Sequence, residues 1–141
     1  MTRPSRVETF LRVALIMSQR ATCLRGQVGA VIVHDKRIVS TGYNGSPVGQ
    51  PHCEQETCND KGVCKNSIHA EANAIAFAAR YGIPTNDCKI YSTHSPCRDC
   101  AELIIQAGIK EVHYIHGYSS DSGLELLVNS GIITRRHAVS L

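Results

Sequence analysis

His69, Cys97 and Cys100, with Glu71 close behind the first of them, are the residues of this chain whose types and spacing could hold a catalytic metal. One imidazole and two thiolates suit a tetrahedral ion, and zinc is the usual occupant of such a set. Three protein ligands leave the fourth position for water, which separates a catalytic site from a closed structural one. Zinc lowers the pKa of that water towards neutrality, so a hydroxide nucleophile would be at hand at physiological pH. Glu71 is not needed as a ligand. A carboxylate there is placed to take a proton from the water and pass it to a leaving group. A lone Cys-x-x-Cys would suit a structural zinc with His69 filling the fourth corner. The upstream Glu71, and Pro96 directly before Cys97, favour catalysis instead.

Such a site needs elements that bring distant residues to one point. Pro96 suits the first turn of a helix, where its missing N–H would be orphaned anyway. Cys97 and Cys100 then stand at i and i+3 on one face. His69 and Glu71, at i and i+2, would diverge on a mid-helix surface and converge only just beyond a helix N-terminus. Asn66 or Ser67 offers the cap before the helix-forming run Ala70–Arg80. Two helix N-termini aimed at one zinc favour both thiolates and hydroxide. Alanines at 70, 72, 74, 76, 78 and 79 predict a central helix buried on several sides, although alanine also simply favours helix.

The remaining periodicities supply a frame. Val7, Phe10, Leu11, Ala14 and Leu15 follow helical spacing over about Arg6 to Arg20. Val28–Val33 and Arg37–Tyr43 are β-branched runs joined at His34-Asp35-Lys36, a hairpin. Lys89–Ser92 reads as a strand, 97–107 as a helix ending at Gly108, Glu111–Ile115 as a strand, Gly123–Asn129 as a helix and Ile132–His137 as a last strand. The order α-β-β-α-β-α-β-α-β predicts an α/β fold of three layers, a five-stranded mixed sheet flanked by helices, with the last two strands parallel. At 141 residues the chain suits a single domain, 1–141, with a cysteine-bearing loop insert at about 46–68. No apolar run approaches a membrane span and no signal-peptide pattern follows Met1, so a cytoplasmic location is expected. A net charge of +3 suits an anionic small molecule better than a long polyanion, and no stable nucleic-acid partner is expected.

His-x-Glu followed by Pro-Cys-x-x-Cys is the signature of zinc-dependent nucleobase deaminases, and the chain resembles the cytidine deaminase superfamily over nearly its whole length. It looks most like the deoxycytidylate (dCMP) deaminases of bacterial or phage kind. The matching residues are Val28-Gly-Ala-Val-Ile-Val, Ser40-Thr-Gly-Tyr-Asn-Gly-Ser-Pro, His69-Ala-Glu-Ala-Asn-Ala-Ile and Ser95-Pro-Cys-Arg-Asp-Cys-Ala. The resemblance implies hydrolysis of dCMP to dUMP and ammonia, which supplies dUMP for thymidylate synthesis. It makes His69, Cys97 and Cys100 the ligands of a catalytic Zn²⁺ and Glu71 the proton shuttle. It implies that the Ala70 N–H holds the pyrimidine carbonyl and the Ser95 carbonyl the amino group. Asn44 would bind the sugar hydroxyl, or else serve as a left-handed turn residue. Tyr118 would pack over the nucleotide, or else cover the sheet edge. Arg25 is the candidate for the 5′-phosphate.

The resemblance further implies a homo-hexamer activated by dCTP and inhibited by dTTP, with Mg²⁺ on the effector triphosphate. Gly42, Tyr43, Gly45 and Arg80 are the candidate effector-binding residues. Cys23, Cys53, Cys58 and Cys64 could hold a second, structural zinc that pins the long loop, with His52 able to replace one thiolate and free thiols as the alternative. Cys88 reads as a small buried hydrophobe. Two alternatives share the motifs. One is a tRNA adenosine or other cytosine or cytidine deaminase. The other is a competence-type nucleotide-binding module in which the same fold only binds.

Overall fold

In the computed structural model, residues 2–22, 26–52 and 67–141 are described. Chain order gives α1 (Arg6–Ser18), β1 (Gly29–His34), β2 (Arg37–Tyr43), α2 (Ala70–Arg80), β3 (Lys89–His94), α3 (Arg98–Gln106), β4 (Glu111–His116), α4 (Ser122–Asn129) and β5 (Ile133–Arg136). The sheet runs β2-β1-β3-β4-β5. β1 is antiparallel to both β2 and β3, whereas β3, β4 and β5 are mutually parallel. Parallel neighbours cannot be joined by a hairpin, and α3 and α4 provide the two crossovers. The expected five-stranded mixed sheet and its flanking helices are therefore present. Among the described residues no helix is long and apolar enough to cross a membrane.

Alternation along the strands sends side chains to opposite faces. Ala30, Ile32, Ile90 and Val112 meet Ala70 and Ala74 of α2, Ala101 and Ile104 of α3 and Leu127 of α4. Val31, Val33, Tyr91 and Ile115 meet Phe10 and Leu11 of α1 on the other face. The layers are thus α1 on one side and α2, α3 and α4 on the other. α2 departs from the expectation of burial on several sides. Ala70, Glu71, Ala74 and Ala78 are buried, but Ala76, Ala79 and Arg80 are exposed. The helix lies over the β2–β1 side of the sheet with α3 as its helical neighbour.

Helix ends follow local chemistry. α1 is capped by Ser5, whose hydroxyl accepts from the Glu8 N–H. Gly108 follows the last turn of α3 at φ 77°, the left-handed position that glycine occupies without cost.

Candidate metal centre

Pro96 does not open α3. The helix starts at Arg98, with Cys97 itself as the N-cap, extended at φ −69° and ψ 172°. α2 likewise starts at Ala70 with His69 as its N-cap, in place of Asn66 or Ser67. Neither cap residue makes the usual side-chain capping hydrogen bond. A ligand side chain aimed at a metal is unavailable to cap, which is why the usual capping residues are displaced from these two positions. Two helix N-termini therefore face one point, and the partial positive charge of their first-turn N–H groups favours thiolates there.

The His69 Nδ1 lies 3.4 Å from the Cys97 Sγ and 3.4 Å from the Cys100 Sγ. The three donor atoms lie within 4.8 Å of one another. A tetrahedral zinc with usual bond lengths separates its nitrogen and sulfur ligands by about 3.5 Å, so the donors fit this ion. Among the described residues it is the single cluster of three such donors. None of Cys88, Cys97 and Cys100 is in a disulfide.

Charge points the same way. Hydrogen bonds with Cys100 and His69 hold the Cys97 thiol down at about 4. Its hydrogen bond with Cys97, together with burial, pushes the Cys100 thiol well up. The bond to Cys97 also raises the His69 imidazole. The arrangement thus favours negative charge on sulfur beside His69. A divalent cation held by His69, Cys97 and Cys100 would let both thiols ionise.

Glu71 sits one residue inside α2 and is buried. Burial pushes its carboxyl up to about 7, against the opposing pull of its own backbone N–H and of His69. A carboxyl near 7 is able both to accept and to release a proton at neutral pH. Ala70 is fully buried at the first position of α2, where its N–H has no helical acceptor. Ser95 is tied on both sides: its N–H donates to the His116 carbonyl at 2.8 Å, and its hydroxyl accepts from the Tyr118 N–H at 2.7 Å. Tyr118 is half exposed on the loop after β4. Ser95 and Tyr118 thus share one end of the parallel strands with Cys97.

Asn44 has no positive φ, so the turn-residue alternative does not describe it. Its amide pins the chain between α1 and β1 instead, accepting from the Val28 N–H at 2.7 Å and donating to the Gly26 carbonyl at 2.8 Å. Gly42, Tyr43, Gly45 and Arg80 come together along a cleft of about 590 Å³ between β2, the segment after it and the outer face of α2. His52 lines the same cleft. Cys88 is fully buried, as expected. Arg25, Cys23, Cys53, Cys58 and Cys64 lie outside the described residues. Asn73, which the sequence reading did not single out, turns out to tie the ligand-bearing helix to β2 (Nδ2 to the Tyr43 carbonyl, 2.8 Å).

Comparison with known proteins agrees with this geometry. The family model for the cytidine and deoxycytidylate deaminase zinc-binding region matches residues 4–116. ComE operon protein 2 of Bacillus subtilis is 43% identical over 136 residues, covering 94% of this chain and 71% of that one. The deoxycytidylate deaminase of Enterobacteria phage T2 is 34% identical over 168 residues, covering 90% and 89%. The crystal structure of dCMP deaminase from cyanophage S-TIM5, in complex with dCMP and dUMP, superposes with a TM-score of 0.87 at 31% identity, covering 97% of this chain and 100% of that one. By fold, by the His-Cys-Cys centre and by sequence, the chain belongs to the cytidine and deoxycytidylate deaminase zinc-binding family.

Proposed function

We propose that this chain deaminates dCMP to dUMP and ammonia at the His69, Cys97 and Cys100 centre. The observation that carries the reaction type is Glu71, a buried carboxyl at the start of the helix whose N-cap is a metal ligand. The choice of dCMP rests on likeness to deoxycytidylate deaminases at 34% identity and to one crystallised with dCMP and dUMP. Zinc on these ligands supplies a hydrolytic nucleophile at neutral pH by acidifying water. Glu71 takes one proton from the attacking water and places it on the ring nitrogen beside the amino-bearing carbon. It then carries the second proton to the departing amine, so that water and dCMP become dUMP and ammonia. The Ala70 N–H holds the pyrimidine carbonyl and the Ser95 carbonyl receives the amino group, each fixed by the helix start or strand end that bears it. Tyr118 flanks the nucleotide, Asn44 meets the sugar hydroxyl and Arg25 the phosphate.

Regulation belongs to the same reading: dCTP as activator and dTTP as inhibitor, with Mg²⁺, in a homo-hexamer. The four effector candidates line one cleft, which Thr22 and Ser46 also line with buried hydroxyls that have no partner among the described residues. A second zinc on Cys23, Cys53, Cys58 and Cys64 completes the proposal. A binding-only module is a weaker reading, since it has no use for a buried proton shuttle. Ammonia release from dCMP, cytidine, cytosine and adenosine-containing RNA, assayed in parallel, tests the substrate. Turnover confined to the RNA or to the free base would overturn it.

A further inference from the structure

The segment that carries His69 and Glu71 is held from outside the metal centre, along a seam with β2. Gly42 lies so close to α2 that a methyl group at that position would meet the Ala70 carbonyl oxygen at 2.3 Å and the Ala74 nitrogen at 2.6 Å. Both obstacles are backbone, so they cannot turn aside. Gly42 has no positive φ, and its lack of a side chain serves close approach rather than a turn. The Ser40 hydroxyl donates to the Ala74 carbonyl at 2.7 Å. Gly45 and Ile68 exchange two backbone hydrogen bonds, of 3.1 and 2.8 Å, immediately before His69.

Asn73 joins these contacts. Its Nδ2 donates to the Tyr43 carbonyl at 2.8 Å and approaches the Ile68 carbonyl at 3.5 Å. Its backbone N–H donates to the His69 carbonyl at 2.9 Å. Its side chain thus ties the end of β2 to the residue before the ligand, while its main chain closes the first turn of the ligand's own helix. His69 makes no side-chain capping bond, so its placement depends on its neighbours.

We propose that Asn73, together with Gly42, is a positioning residue that sets His69 and Glu71 against the two cysteines. The reason is tolerance. A functional constellation must be held within about 0.5 Å, and metal ligands more tightly still. Relieving the Gly42 contact would push α2 back by more than that. The inference rests on the metal reading of His69, Cys97 and Cys100, but not on the identity of the substrate.

The test titrates Asn73→Ala, Asn73→Asp and Gly42→Ala proteins with zinc against a chromophoric chelator. Each is also loaded with cobalt(II), whose thiolate charge-transfer and d–d bands report ligand geometry. Wild type and His69→Ala mark the site present and absent, which separates it from any second zinc. Aspartate keeps the shape of asparagine but, ionised, can only accept, and so cannot donate to the Tyr43 carbonyl. The expected result is an affinity loss of about 10- to 100-fold at the His69-dependent site in both Asn73 variants, with shifted cobalt bands. The metal-free thermal midpoint of Asn73→Ala should move by only about 5 °C or less. Zinc affinity within about twofold of wild type, with an unshifted cobalt spectrum, would overturn the proposal whatever happens to thermal stability. Should Gly42→Ala fail to fold, the Asn73 variants decide alone. Wild type with no His69-dependent metal would overturn the metal reading itself, and this inference with it.

Discussion

Single residues decide the chemistry through their surroundings. Burial is what brings the Glu71 carboxyl to about 7. Glu71→Gln keeps the shape and the metal ligands but cannot relay protons. Turnover of dCMP should fall by about 10²- to 10⁴-fold, with zinc content and dCMP binding kept. Ammonia release beside equilibrium binding checks this, and near-normal turnover in the variant would sink the assignment. A second residue carries a pH signature away from the site. His113 is buried, stacks on Tyr91, and contacts His137 and Glu111 at 2.9 and 3.1 Å. Burial, aided by His137 and Lys89, outweighs Glu111 and lowers its pKa below 6.5. The unfolded chain therefore binds more protons here than the folded one as pH falls below about 6.5. Stability is full above that value and declines towards acid. Thermal midpoints between pH 7.5 and 5 should fall, and fall less steeply in His113→Gln.

At the level of elements, close backbone approach recurs. Gly29 of β1 sits under α1, where a methyl group would meet the Ala14 carbonyl oxygen at 2.0 Å and the Ser18 nitrogen at 2.6 Å. Gly29→Ala must lift α1 from the sheet. A loss of about 1–3 kcal/mol is expected, measured by chemical denaturation. This position lies on the sheet face opposite α2, so zinc affinity should hold while stability falls. That contrast separates it from Gly42. The β1–β2 hairpin makes a tight connection through Asp35 and Lys36, both at positive φ, which asparagine and glycine would fill with less strain.

For the molecule as a whole, the predictions concern metal count, assembly and regulation. Elemental analysis should find close to two zincs per chain, one lost in His69→Ala and the other in Cys53→Ser or Cys64→Ser. A single zinc unaffected by the loop variants would refute the second site. Light scattering should report a hexamer. Rates should depend sigmoidally on dCMP, become hyperbolic with dCTP and grow more cooperative with dTTP. An effector does this only by binding the two conformational states differently. The cleft along Gly42, Tyr43, Gly45 and Arg80 adjoins the same helix that carries Glu71 at its start, so a shift of α2 would be felt at both. Hyperbolic kinetics from a monomer, indifferent to both triphosphates, would end this part of the proposal.

Local spacing was enough to read a good deal from the sequence. His69, Cys97 and Cys100 announce a metal by residue type, and the periodicities place the nine helices and strands of the described residues in order. These depend on neighbours a few positions away, which the chain itself lists in order. What the tertiary structure decided depends on approach between distant segments. Both ligand helices are capped by the ligands themselves, because the side chains are spent on the metal position rather than on the helix. Among the described residues α2 is buried on one face only, and its alanines at 76 and 79 stay exposed, raising helix propensity without packing. Asn44 anchors the backbone of Gly26 and Val28 with one bond from each end of its amide, which leaves capacity at both ends. Gly42 looks like any strand glycine, and Asn73 like any polar helix residue, until the Ala70 carbonyl and the Tyr43 carbonyl are brought against them. No residue pattern along the chain encodes that proximity, since it arises only when β2 and α2 pack.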